Sequence, residues 1–406
     1  MTVPAVPLPE SIVTDPHGVY ARLREQAPVH RFALPDGAYA WIVTRYDDAR
    51  AALADPRLSL SKTHAADGAW KGFGLPPALD NNLLNMDPPD HTRLRRLVGK
   101  AFTPRRVEAM RPGVERVAAA LLAPVAAAGG GDLVRDFAVP LPVAVICDVL
   151  GIPAERRADL GDWAGTMLAP PRDDPAAPAR AVGRLIAFLT QLIAERRTAP
   201  GTDILSALVA ARDEGDRLTE DELTSLAFLI LVAGYENSVH LISSGVLTLL
   251  EHPDQRDELA KDPALLPNAV RELMRFEPPT PVSIRRFAKQ DVELAGVTIP
   301  AGDTVMIAIA AADRDPDRYP HPDTLDLHRD TTAQLTFGQG IHYCIGAPLA
   351  RLEAEVALGA VLRTLPGLTL AVPAAELRWR DSYRSRALLS LPVHVPPLSA
   401  PLDNQG

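Results

Sequence analysis

Cysteine is scarce: the 406 residues contain only Cys147 and Cys344. Two thiols cannot build a disulfide framework or a multi-cysteine zinc cluster, and they suit a reducing cytoplasm. Long apolar runs are also missing. None, Leu226 to Ala233 among them, exceeds eight residues, too few to span a bilayer. The proline-rich arm over residues 1–14 has no basic run, so it reads as neither a signal peptide nor a membrane anchor. A net charge of −9 gives no overall bias toward nucleic acid. No flavin or nicotinamide fingerprint occurs. Gly338-x-Gly340 lacks the third glycine and the Gly-Lys-Ser/Thr that would make a phosphate cradle.

What is present is the composition of a globular chain with a large core, 47% hydrophobic and 23% charged. Asp15-Pro16 opens a helix through Gln26. Val29 to Leu34 and Tyr39 to Thr44 form a hairpin around Pro35-Asp36-Gly37, and Tyr46 to Ala54 is a short amphipathic helix. Residues 59–85, rich in glycine, proline and asparagine, read as a long irregular loop. Asp87-Pro88-Pro89-Asp90 starts the next helix, where His91 and Arg95 share a face. Arg93, Arg95, Arg96, Lys100, Arg105 and Arg106 follow with no acidic residue between them, an asymmetry that asks for an acidic partner. No aromatic interleaving makes it a nucleic-acid site. Residues 114–208 read as alanine- and leucine-rich helices, with Cys147 in their core.

Leu223 to Leu250 is the longest helical pattern and is apolar nearly all round, which makes it central. Within it stand Ala233-Gly234-Tyr235-Glu236-Asn237-Ser238. A carboxylate there needs a partner or a job, either a salt bridge to His240 one turn on or proton chemistry. Gly234 invites a kink. Near the C-terminal end comes Phe337-Gly338-Gln339-Gly340-Ile341-His342-Tyr343-Cys344-Ile345-Gly346, followed by an apolar-striped helix from Ala347 to Leu362. Cys344 thus lies just ahead of a helix N-terminus, where free N–H groups and the dipole favour a thiolate. Such a cysteine is either a buried structural residue or an axial ligand for haem iron.

The full string matches F-G-x-G-x-H-x-C-x-G at every fixed position, and in this the chain resembles the cytochrome P-450 family. The resemblance extends over nearly the whole chain. It implies a mainly α fold, a helix-rich triangular prism with small β-sheets. It implies one haem-binding domain over residues 1–406, with haem b between the long helix and the cysteine-loop helix. Cys344 is then the iron ligand, with Phe337, Gly338 and Gly346 shaping its loop. His91, Arg95, Arg286 (or Arg285 beside it) and His342 hold the haem propionates. Ala233, Gly234, Glu236, Asn237 and Ser238 form the oxygen-activation segment, in which Asn237 occupies a position that is threonine in relatives. Ser238, a water or a substrate hydroxyl is expected to replace that hydroxyl, with Glu236 as proton source. Glu272 and Arg275 form the family's E-x-x-R ion pair. The arginine that normally completes it is missing at Thr324, leaving Arg329 or His321 as substitutes.

The activity implied is monooxygenation of a large, mostly apolar molecule of polyketide or macrolide type. Oxidative coupling, a peroxygenase reaction and ligand sensing are the alternatives. Electrons come from a ferredoxin and its reductase, with no membrane or nucleic-acid partner and a monomeric state. The substrate pocket falls to Leu83, Leu84, Met167, Leu229, Val232, Val282 and Ile284.

Overall fold

The computed structural model describes residues 4–69, 75–100, 102–157, 160, 163, 166, 174, 176–213 and 218–396. Helices dominate. In chain order they include α1 (Pro16–Gln26), α2 (Tyr46–Ala54), α3 (Pro77–Asp80), α4 (Asp90–Gly99), α5 (Pro104–Glu108), α6 (Arg111–Ala127) and α7 (Pro140–Val149). They continue as α8 (Ala177–Thr198), α9 (Ile204–Asp213), α10 (Glu220–Glu251), α11 (Pro253–Lys261), α12 (Leu266–Phe276), α13 (Ile309–Ala312) and α14 (Ala347–Thr364). The expected helices and the hairpin are where the sequence pattern places them. Among its described residues, the irregular stretch contains the end of a short strand at Ser59, a short turn at Lys62–His64 and α3.

Three small sheets accompany the helices. The largest runs β1 (Val6–Pro7), β2 (Val29–Ala33), β3 (Tyr39–Val43), β9 (Thr304–Ile307), β6 (Arg286–Ala288) and β4 (Leu58–Ser59) across its width. A second pairs β10 (Thr369–Leu370), β11 (Pro392–His394) and β5 (Gly130–Asp132), and the third is the hairpin β7 (Val292–Leu294) and β8 (Val297–Ile299). β6 lies antiparallel to β9, with Arg286 opposite Val305, so the large sheet fixes where that arginine sits.

The 32-residue α10 is the axis of the core. Its start is set by a capping box in which Thr219 and Glu222 satisfy each other's backbone N–H groups. It packs on α3, α7, α8 and α14, and α14 packs in turn on α6 and α12. By length and composition α10 could cross a membrane, but 67% of its apolar window is buried inside this structure, as befits a core helix. Helix runs unbroken through Gly234. The glycine answers a packing need. A Cβ there would lie 2.4 Å from Ile146 Cδ1 of α7, so a larger residue would make the isoleucine side chain shift.

Candidate active site

The cysteine loop is a tight knot. Cys344 N–H donates to the Phe337 carbonyl at 2.8 Å, and a short turn over Gly340–His342 fills the gap. Gly338 and Gly340 both take φ near 75°, a conformation open to glycine. At Gly340 a Cβ would also stand 3.1 Å from the Ala54 backbone. Gly346 caps α14 with ordinary φ, and a Cβ there would meet only Cys344 Sγ, at 3.9 Å, so its small size keeps the space beside the sulfur clear.

Cys344 keeps accessible surface, although its thiol lies deep among protein atoms. Burial is the largest influence on the thiol and pushes its pKa up. The Gly346 and Ala347 N–H groups and the Arg95 and Arg351 guanidiniums pull it down without winning. The helix N-terminus therefore does not make a thiolate unaided; a bound metal would have to draw off the proton. Cys147, by contrast, is fully buried among apolar side chains, with its thiol pushed up to about 11 by burial.

Four basic side chains from three segments gather at this loop. His91 is buried on α4, its ring 4.2 Å from that of His342. Arg95, one turn further, donates to the Tyr343 carbonyl. Arg286 is buried on β6. Burial and then Arg95 lower His91 to about 4; burial, His91 and Arg286 lower His342 to about 3; burial lowers Arg286 to about 10. Both His91 ring nitrogens and Arg286 Nε are buried without a hydrogen-bond partner. Asp87 is the carboxylate that acts on all three, and it is already engaged by Ser59 at 2.5 Å and Lys289 at 3.1 Å. A multi-oxygen anion such as a pair of haem propionates fits the cluster. Arg285 looks elsewhere, toward Asn85 and Arg384, which leaves Arg286 as the member of the pair at this site.

In the middle of α10, Ala233 and Asn237 are exposed and one turn apart, a stripe flanked by buried and half-buried positions. Asn237 Oδ1 accepts the Thr280 hydroxyl at 3.0 Å. Ser238 faces away and is buried, as successive helical residues must diverge. It therefore does not take the threonine's place at the cleft. Glu236 is gripped by Arg380 at 2.6 Å and lies 3.6 Å from His240. Burial alone would raise its pKa, but these partners outweigh burial and lower it. An ionised, clamped carboxylate is not the expected proton source. Behind Ser238 lies Glu353 of α14, fully buried, with the Ser238 hydroxyl as its polar neighbour. Burial raises it to about 8, offset only in part by the Ser238 hydroxyl. The one sequence signal for it was an acid amid the apolar stripe of α14.

Glu272 and Arg275 pair as two buried groups, at 2.7 and 2.8 Å. Arg329, not His321, completes the network. Of the substrate-pocket candidates, Leu83 and Val282 are buried in core clusters and do not face a cleft. Leu84, Leu229, Val232 and Ile284 are half-buried, and Met167 lies outside the described residues. On the outer side of the cysteine loop, Phe337 and Tyr343 line a cleft of about 710 Å³ with Arg50, Arg271, Arg318 and Arg351.

The profile of the cytochrome P450 family matches residues 178–366. The chain is 46% identical over 388 residues to vitamin D(3) 25-hydroxylase of Pseudonocardia autotrophica, covering 95% of each. To 6-deoxyerythronolide B hydroxylase of Saccharopolyspora erythraea it is 45% identical over 397 residues, covering 95% of this chain and 97% of that one. The ligand-free structure of the P450 monooxygenase TamI superposes with a TM-score of 0.88 at 43% identity, over 97% of this chain and 94% of that one. The chain belongs to the cytochrome P450 family, a haem-dependent oxidoreductase that incorporates molecular oxygen.

Proposed function

We propose that this enzyme hydroxylates or epoxidises a large, mostly apolar polyketide or macrolide, with Cys344 as thiolate ligand to the haem. The observation that carries the reading is the cluster of His91, Arg95, Arg286 and His342 beside an accessible cysteine in a glycine-shaped loop. One planar cofactor with two carboxylate arms and a thiophilic metal satisfies both at once. Haem bound there supplies oxygen activation: with two electrons and two protons, one oxygen atom enters the substrate and the other leaves as water. Phe337, Gly338 and Gly346 shape the sulfur's surroundings.

Glu353 holds the proton. It is protonated near neutrality, and Ser238 is its hydroxyl neighbour on α10. Glu236 serves instead to anchor Arg380 against α10. Half-buried Leu84, Leu229, Val232 and Ile284 give the substrate an apolar surround. The macrolide reading is supported by the relative that hydroxylates 6-deoxyerythronolide B.

Electrons come from redox partner proteins in bacterial enzymes of this kind. We assign that role here to an acidic ferredoxin with its reductase. Exposed Arg96, Lys100, Arg105 and Arg106, together with the four arginines of the outer cleft, offer it a basic landing surface. The two free cysteines support a cytoplasmic site.

The test is a spectral binding panel followed by product analysis. Macrolactones should shift the haem spectrum and yield products one oxygen heavier. Shifts with terpenes or fatty acids alone would overturn the substrate class.

A further inference from the structure

The Asn237–Thr280 hydrogen bond joins the long helix to a stiff strut. Thr280 stands between Pro279 and Pro281, whose rings fix the backbone on either side. The strut is also pinned by neighbours. The Pro279 carbonyl accepts Arg386 N–H at 3.0 Å, the Pro281 carbonyl accepts Ala310 N–H at 3.0 Å, and Ser283 N–H reaches the Ile307 carbonyl at 2.8 Å. The Thr280 hydroxyl is therefore presented from a fixed position.

An asparagine amide has an acceptor edge and a donor edge. Asn237 spends its oxygen on Thr280, at 3.0 Å, which turns the two amide hydrogens the other way. A flipped amide would leave the Thr280 hydroxyl hydrogen without that acceptor. Asn237 shares its exposed stripe with Ala233, and a methyl group offers no competing polarity. The exposed stripe of α10 thus pairs a methyl group with one oriented donor edge.

We propose that Thr280 is a positioning residue that holds Asn237 with its amide N–H edge toward the cleft. The site then selects, among large apolar molecules, those carrying a carbonyl or ether oxygen where they meet α10. This deepens the proposed function and rests on it, naming the polar feature its substrate must bear.

The test compares cyclododecanone with cyclododecane, rings that differ by one carbonyl. Dissociation constants are measured by calorimetry and spectral titration on haem-loaded protein. The wild type should prefer the ketone. Thr280→Val, which keeps the shape and removes the hydroxyl, should reduce that preference about three- to tenfold, the scale of one neutral hydrogen bond. Thr280→Ser should restore it, and Asn237→Leu should abolish it. An unchanged preference in Thr280→Val overturns this inference alone, and so does an equal loss of affinity for both rings, which would mark a merely structural role. A wild type with a normal haem spectrum that binds neither ring overturns this inference and the substrate class together.

Discussion

Arg329 donates from Nε to Glu272 Oε1 at 3.2 Å, on the same buried carboxylate that Arg275 holds with two hydrogen bonds. Its other nitrogens reach the carbonyls of Pro320, His321 and Thr324. One guanidinium thus ties α12 to the segment that leads into the cysteine loop. Removing it takes one of two guanidiniums from a fully buried carboxylate and releases three carbonyls of the segment it ties down. Arg329→Ala should therefore lose about 3 kcal/mol in urea unfolding, and Arg329→Lys should recover only part, since an ammonium cannot fork to so many partners. A loss below about 0.5 kcal/mol, the range of ordinary surface changes, would remove Arg329 from the network.

Two buried acids should shape the dependence of stability on pH. Burial raises Glu353 from 4.5 to about 8 and Asp313 from 3.8 to about 7. In both cases the folded state holds its proton more tightly than the unfolded chain. The stability they contribute is complete below the unfolded value and drains away as pH rises through the folded one. Melting temperature should fall between about pH 4.5 and 8, and Glu353→Gln combined with Asp313→Asn should flatten that fall. A slope unaltered in the double variant would mean that neither group titrates as described.

What could be read from the sequence was local. Gly338 and Gly340 announce a turn that only glycine can make, and the hairpin declares itself through Pro35-Asp36-Gly37. His91 and Arg95 follow from helical spacing. The residues misread or missed depend on partners far along the chain. Nothing near Gly234 in the sequence announces its packing neighbour Ile146. Glu236 looked like a proton donor because Arg380 is remote in sequence. Ser238 looked available for the cleft until helix geometry turned it toward Glu353. The choice of Arg329 over His321 was decided by reach, which sequence order does not show.

Proton delivery gives a third expectation. If Glu353 stores the proton and the Ser238 hydroxyl holds it in place, Glu353→Gln and Ser238→Ala should each lower product formed per electron consumed. Glu236→Gln should act chiefly by loosening Arg380, and so should be partly mimicked by Arg380→Gln. Full coupling in both Glu353→Gln and Ser238→Ala would send the proton by another route.

Electron transfer should weaken as salt rises, because screening lengths shrink to about 3 Å near molar ionic strength. Charge reversal at Arg96, Lys100 and Arg105, or at Arg50 and Arg318, should slow ferredoxin-driven turnover and spare turnover driven by peroxide. The set with the larger effect marks the centre of the landing surface. Equal losses with both oxidant systems would point to damaged folding instead.

The central claim is that Cys344 ligates the haem iron as a thiolate. The reduced carbon-monoxide difference spectrum reads this directly. Wild type and Cys147→Ser should both show the red-shifted Soret band of a thiolate-ligated haem, and Cys344→Ser should lose it. A folded, haem-loaded wild type without that band, or a Cys344→Ser variant that keeps it, would contradict the account.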